Sequence, residues 1–591
     1  HPCLIFVDSS GLGTRVVQRL RQEVTPVIVV EAGERFAQLG EQHFVLRPGV
    51  NTDYVALFRE LSQQGHILRS ILHCWNVTKD QGTASLPDPD PQLQTGFTSL
   101  LCLTRAIGSS LPETDIHLMV LSDHTQAVTG EEVLSPAKAP IVGLCKVISQ
   151  EYPSITCQHI DVTSPAANSW TSTRMVESLV AECLATSGDL SVAYRGHTRW
   201  THNYLPMRLE QSERKIVPFR NKGVYLIIGG LGEVGLLLAE YLAAKAQARL
   251  VLLDEAAFPA SEQWSTWLEQ HAQDDAVSQT IRRLQTLEVM GAQVQVLQAD
   301  LTNVRQMRQI VEGICQDLGT LHGVLHMAGS SELQSIQDMD QTSYDRCFQP
   351  RLQSMYALEH ALQETALDFC LLFSSLTAIL GGVGCAMEAA ISTYIDTFVL
   401  KKSQNSATPW ISVNWDLWLT RENEQKFRGT AVARYMMSPT EGGEAFSRII
   451  TSQWIRMITS TGSLPDRVKQ LERASSDQAF HAGPASTKGV RPEGATAYVS
   501  PASPVEQRIA EVWQRLLGFE QIGVHDNFFE LHGHSLLGMQ LISRLREMFQ
   551  VNIPLARLFE GPTVAKLAEV VEELLIEEIE KLGEEEARLL V

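Results

Sequence analysis

Residues 224–242 read VYLIIGGLGEVGLLLAEYL. An apolar strand runs into a glycine-rich turn, and the turn opens an apolar-periodic helix. In that setting Gly230-Leu231-Gly232-Glu233-Val234-Gly235 forms a dinucleotide-type turn. The missing side chains let backbone approach a pyrophosphate at a helix N-terminus. Residues 3–20, CLIFVDSSGLGTRVVQRL, follow the same plan with fewer glycines. Each stretch is followed by a second apolar strand, VIVV at 27–30 and RLVLL at 249–253. Each later reaches a similar phrase, ILHCWN at 71–76 and VLHMAG at 324–329. Two α/β units therefore stand in tandem, and the alternation of strands with helices implies doubly wound, parallel sheets.

The first unit spans residues 1–215 and the second 216–460. Later landmarks of the second are the strand LLFSS at 371–375, a long helix near 386–402 and the strand WISVNW at 410–415. Residues 461–503 read as a linker, because much of the stretch is rich in Ala, Ser, Gly and Pro without apolar periodicity. Residues 504–573 form a small helical unit. Its amphipathic helix PVEQRIAEVWQRLLG, the loop GVHDNFFELHGHS and the helix LLGMQLISRLREMF predict a four-helix bundle. Residues 574–591 are an acidic helical tail.

The chain of 591 residues is too long for one core and suggests about three to five folding units. A net charge of −20 argues against nucleic acid or an anionic membrane as partner. Ten scattered cysteines without a CxxC pair read as free thiols in a reducing cytoplasm, and no metal site is expected. No signal peptide or bilayer-length apolar run is visible. The His-Pro start reads as a cut from a longer polypeptide.

Residues 526–549, DNFFELHGHSLLGMQLISRLREMF, together with LFEGPTVAKLA at 558–568, resemble acyl and peptidyl carrier proteins. Such carriers usually have Gly where this chain has His532. Ser535 lies where a loop becomes a helix, so a phosphodiester there meets free N–H groups and the positive end of the helix dipole. The resemblance implies attachment of 4′-phosphopantetheine to Ser535.

The second unit adds further phrases to its glycine turn: Asp300 after VQVLQ, His326-Met327-Ala328-Gly329, Phe373-Ser374-Ser375 and Asn414-Trp415-Asp416-Leu417-Trp418. Together they resemble the ketoreductase domains of polyketide synthases, of the short-chain dehydrogenase type. The resemblance extends over residues 1–460, with the first unit as a degenerate Rossmann-like structural subdomain. It implies cofactor contacts at Gly230, Gly232, Gly235, Asp254, Glu255, Asp300, Ala328 and Gly329. It also implies a catalytic Ser, Tyr, Lys and Asn. Ser375 retains the serine. Glu388 stands at the tyrosine position, Arg351 at the lysine position and Ser392 at the asparagine position.

These exchanges alter the chemistry. A phenol has a reference pKa of about 10, and tuning makes it a proton donor. A carboxyl, with a reference pKa of about 4.3, is ionised at neutral pH unless burial raises it. Arg351 beside Glu388 favours the carboxylate, and a guanidinium does not give up its proton. Asp254-Glu255 stand where an Arg usually meets the 2′-phosphate of NADPH, and Ile228 where a Thr is usual. Binding of NADPH or NADH is therefore expected to be weak or absent.

The resulting reading is a segment of a modular polyketide synthase, or of a hybrid with a peptide synthetase. Its reductase is a pseudo-ketoreductase acting as spacer and docking surface, and its carrier holds the growing chain. Expected partners are a ketosynthase, an acyltransferase, a phosphopantetheinyl transferase and a downstream module. The alternatives are an active NAD(P)H-dependent reductase acting on a β-keto or α-keto acyl group, a stand-alone dehydrogenase with a helical tail, and non-reductive epimerisation.

Overall fold

The computed structural model of the chain describes every residue except 24, 79–92, 113, 164–169, 185–187, 210–218, 328, 330–332, 478–496 and 582–591. The first unit builds one sheet from β1 (Cys3–Phe6), β2 (Val27–Ala32), β3 (Ala37–Gly40), β4 (His43–Leu46), β5 (Ser70–Asn76), β6 (Ile116–Asp123), β7 (Ile155–Val162), β8 (Ser191–Arg195) and β9 (Thr198–Thr201). Their spatial order is β3-β4-β2-β1-β5-β6-β7-β8-β9. Neighbours run parallel except in the β3–β4 and β8–β9 pairs.

The second unit builds another from β10 (Val224–Ile228), β11 (Arg249–Asp254), β12 (Gln293–Gln298), β13 (Leu321–His326), β14 (Phe369–Ser375), β15 (Trp410–Trp415) and β16 (Arg456–Ile458). All its pairs are parallel, in the order β12-β11-β10-β13-β14-β15-β16. Strand β10 is buried along its whole length, as expected of a strand covered on both faces. In both sheets the order reverses beside the first strand, between β1 and β5 and between β10 and β13. Such switch points open crevices at the carboxyl ends of strands, where doubly wound folds bind ligands.

One hydrophobic core runs through both units. The seam is the helix Pro140–Glu151 of the first unit lying against the helix Ala386–Ser403 of the second. Gly143 makes the approach possible, because a Cβ there would collide with the backbone carbonyl of Ala389. Neither half is a separate body at this seam, which carries the helix bearing Glu388.

The small helical unit consists of helices Pro504–Leu517, Ser535–Phe549, Ala556–Glu560 and Val564–Lys581. They close over Trp513, Phe528, Leu541, Leu558 and Leu567. A capping box of Ser503 and Glu506 starts the first helix, and Gly518 in the left-handed region ends it.

Two expected boundaries need correction. The stretch expected to be linker from 461 begins instead with the helix Leu464–Asp477. Leu464 packs on the Leu376–Ile379 cluster, and Arg467 pairs with the buried Asp416 at 2.5 Å. The apolar spacing of Leu464, Val468 and Leu471 explains why this segment docks. The boundary expected at 573 falls inside the helix Val564–Lys581. Leu574 and Leu575 continue its packing on the bundle core, so the start of the acidic tail extends the last helix.

Candidate functional site

At the switch point of the second sheet lies a cleft of about 310 Å³. One wall is the turn after β10, with Gly229, Gly232, Glu233, Val234 and Gly235. The opposite wall is the end of β13, with His326, Met327 and Gly329. Glu388, Arg351 and Ser374 form the floor, and Trp418, Thr420, Glu422 and Asn423 the rim.

The turn is tightly packed behind its surface. A Cβ on Gly230 would meet Ile227 O and Leu252, and one on Gly235 would meet the backbone of Gly229 and Gly230. Gly232 has room for a Cβ and faces the cleft. The first and third glycines thus let the helix Glu233–Ala246 sit on the sheet, and the second leaves its N-terminus open.

The four positions singled out as catalytic separate into two pairs. Arg351, on the helix Gln349–Ala361, donates from Nη1 to Glu388 Oε2 at 2.7 Å. Its Nη2 donates to Gly329 O, and its Nε is buried without a partner. Both side chains of this ion pair line the cleft. Ser375 and Ser392 do not line it. Ser375 Oγ accepts from Thr377 N at 3.2 Å. Ser392 is fully buried, and its Oγ accepts from Ser375 N at 3.2 Å. That bond ties the helix Ala386–Ser403 to the end of β14 and turns the Ser392 hydroxyl away from the cleft.

The expected cofactor positions divide in the same way. Gly232, Gly235 and Gly329 line the cleft, and Gly230 packs behind it. Asp254, Glu255 and Asp300 lie outside the lining. Asp254 Oδ1 accepts from Glu255 N at 2.9 Å, and Asp300 Oδ1 from Thr302 N at 2.9 Å. Both carboxylates are occupied by their own turns. Ala328 lies outside the described residues.

The residues missed by sequence reasoning are mostly acidic. Glu233 stands at the N-terminus of the turn helix and lines the cleft with Oε2 buried and unpartnered. Its place inside the glycine phrase was a usable signal. Glu422 arrives from a loop far along the chain, and nothing in its local sequence marks it. His326 is buried, holds Ser354 Oγ at 2.5 Å, and is pushed down to about 4 by burial and by the Arg351 charge. It is therefore neutral at pH 7. Among the lining residues, Glu233, Glu388 and Glu422 face a single guanidinium, which Glu388 already engages.

The shape of the turn suits a pyrophosphate, but the charges do not. Phosphates placed at this helix N-terminus would meet Glu233, and a 2′-phosphate beyond β11 would meet Asp254 and Glu255. The residues present do not fit a phosphorylated dinucleotide.

The second candidate site is the start of the helix Ser535–Phe549. His534 is its N-cap, with Nδ1 3.4 Å from Leu537 N. The capping role therefore falls to His534, and Ser535, half-buried, begins the helix with its hydroxyl outside the capping bond. Gly538 lets this helix press on Leu558 of the short helix. His532 has φ +65°. A left-handed residue at this point explains why carriers favour Gly here.

Comparison with known proteins gives three stretches in order. Residues 2–182 match a family described as beta-ketoacyl synthase-like, N-terminal. Residues 223–420 match the KR domain, and residues 507–571 the phosphopantetheine attachment site. Polyketide synthase PksL of Bacillus subtilis (strain 168) is 25% identical over 478 residues, 76% of this chain and 10% of that protein. The 5-methyl-1-naphthoate synthase of Streptomyces sahachiroi is 26% identical over 450 residues, 73% of this chain and 24% of that protein. The chain thus spans a quarter or less of these curated relatives.

Among solved structures, an N-terminal ketoreductase from the macrolactin assembly line superposes with TM-score 0.63 at 23% identity, covering 80% of this chain and 89% of its own. A multidomain structure with adenylation, ketoreductase and pseudo Asub parts, from a keto acid-selecting NRPS module, gives TM-score 0.69 at 23% identity. It covers 89% of this chain and 43% of its own. These likenesses establish the fold, and their coverage takes in the first unit as well as the second. The unit with the acidic cleft thus matches the KR domain and the helical unit with Ser535 the phosphopantetheine attachment site, and the chain is similar to segments of polyketide synthases.

Proposed function

We propose that the KR domain of this chain does not reduce a ketone and serves as a structural body for the carrier. The observation that carries this reading is the ion pair of Glu388 and Arg351 at 2.7 Å on the floor of the cleft. Ketoreductases of this type use Tyr and Lys at those positions. A carboxylate held by a guanidinium has no proton to deliver to a developing alkoxide. General acid catalysis is worth about 10²–10⁴-fold, and its loss here coincides with a cleft whose charges oppose a dinucleotide. Ser392 and Ser375, bound to each other through backbone, have no free place in a proton relay.

Ser535 is the attachment point for 4′-phosphopantetheine. Its hydroxyl would carry the phosphodiester, and the open N–H groups of the following helix would face the phosphate. The arm's thiol holds the growing acyl chain as a thioester. The working partners are then the other domains of a cytoplasmic synthase: a ketosynthase, an acyltransferase, a phosphopantetheinyl transferase that loads Ser535, and a downstream module. Residues 1–215 and 216–460 act as the structural and catalytic-type halves of one domain.

Calorimetry with NADPH and NADH, combined with a reduction assay on a β-ketoacyl thioester, tests this reading. Neither binding nor turnover is expected. Turnover with either cofactor would overturn it and make Glu388 a working acid.

A further inference from the structure

The carrier domain meets the KR domain on a surface with its own construction. Arg546, on the helix that begins at Ser535, donates from Nη1 and Nη2 to the two carboxylate oxygens of Asp338 at 2.7 and 2.8 Å. Both partners of this fork are largely shielded from solvent. Leu555 stands against Gly384. Leu333, Val383 and Phe427 of the KR domain pack on the apolar core of the carrier, with Phe427 6.3 Å from Phe559.

Beside the segment that carries Phe427, the KR side of this contact includes two loops, 333–338 and 382–385, which bridge each other through Gln334 and Cys385. Both are held by the first unit. Glu151 accepts from Ile336 N at 2.7 Å through one oxygen and from Gly384 N at 2.9 Å through the other. Arg105 donates to Met339 O at 2.7 Å. Glu151 is buried and is not among the residues that line the cleft.

We propose that loops 333–338 and 382–385, clamped by Glu151, are a dedicated dock for the chain's own carrier domain, with the Asp338–Arg546 ion pair as its latch. The proposal rests on the carrier reading of residues 507–571 and is independent of whether the KR domain turns over. The charges are complementary, and the apolar contact is continuous with the carrier's own core. The latched helix is the one that carries Ser535 at its N-terminus. A domain that reads this helix must therefore displace the KR surface before it can act on the carrier. The dock sets a resting state, and the latch sets how readily the carrier leaves it.

A bidentate Arg–carboxylate pair is geometrically specific, so charge reversal on one side should open it. The test uses the full chain with methyl-labelled carrier residues, and reads carrier tumbling by NMR relaxation and overall dimensions by small-angle scattering. In the wild type the carrier should tumble with the KR body. Asp338→Arg should release it, with a severalfold drop in the carrier's correlation time and a larger radius of gyration. Asp338→Asn should lie between the two. Both variants leave the carrier sequence untouched, and an unchanged carrier melting transition shows that its fold is intact. Should Asp338→Arg disturb the KR domain, the milder Asp338→Asn still decides the question. A wild-type carrier that tumbles separately from the KR domain, or variants that leave its tumbling unchanged, would overturn the dock. Reductase turnover would defeat the preceding reading and leave this one standing.

Discussion

The first and second α/β units share a plan, and they differ most at the turn after the first strand. Asp8 stands four residues before Leu12, the first helical residue, as Gly229 stands four before Glu233. In the first unit Asp8 sends its own carboxylate to the helix N-terminus. It accepts from Gly13 N at 2.6 Å and Leu12 N at 3.3 Å, and also from Ser10 Oγ. The N–H groups that a phosphate would need are already occupied. In the second unit the glycine leaves that place open. Further along the same sheet, the fully buried Lys138 pairs with Asp123 and reaches Thr78 Oγ1 at 2.8 Å. A side chain that satisfies a helix end from within turns a ligand site into a structural joint. The second unit differs: its turn stays open, and Arg351 and Glu388 pair in the cleft beside it.

Three substitutions break or sharpen this comparison. The largest loss of stability is expected at the seam. Gly143→Ala places a methyl group against the Ala389 carbonyl and should cost about 3 kcal/mol in denaturant unfolding. If the two units were independent bodies, only the first transition would shift. A shared core requires both to fall together.

Next is Asp8→Ala, which leaves buried N–H donors of Leu12 and Gly13 without a partner. It should cost about 2 kcal/mol, measured the same way. A negligible cost would mean that the first turn is no better satisfied than the second.

The third substitution is read as a pH slope rather than a single loss, and it concerns the arm that the first unit extends into the second. Burial pushes the Glu151 carboxyl up to about 7, against the pull of the two N–H donors from Ile336 and Gly384. Its folded value lies above its unfolded one, so the folded state binds the proton more tightly. The stability it contributes is fully present below about 4.5 and is lost as pH rises towards about 7. Glu151→Gln removes this titration. The variant should gain on the wild type by up to about 1.4 kcal/mol per pH unit across that window and level off above it. Parallel pH profiles of unfolding for the two proteins would contradict the assignment.

Much of this architecture was legible in the chain. The strand-turn-helix of 224–242, its echo at 3–20 and the carrier phrase around Ser535 are local patterns, and local patterns survive reading one residue at a time. The neighbourhood of Arg351 and Glu388 was also expected from the sequence, and the two do pair. Boundaries were less legible. The helix Leu464–Asp477 is hidden beside a polar, Pro- and Gly-rich stretch, and its docking depends on Arg467 meeting Asp416.

The sequence by itself determined the two α/β units, the helical unit after them and the serine at its helix start. Only the tertiary structure decided where the side chains of the expected sites turn. It put Ser392 onto the backbone of Ser375, left Asp254 and Asp300 in their own turns, and brought Glu233 and Glu422 to one cleft. It also joined Gly143 to Ala389, Glu151 to Ile336 and Gly384, and Arg546 to Asp338. The physical reason is range. Propensity and periodicity act over a few residues, whereas these contacts link segments far apart in the chain, and shared burial of the core is what brings them together.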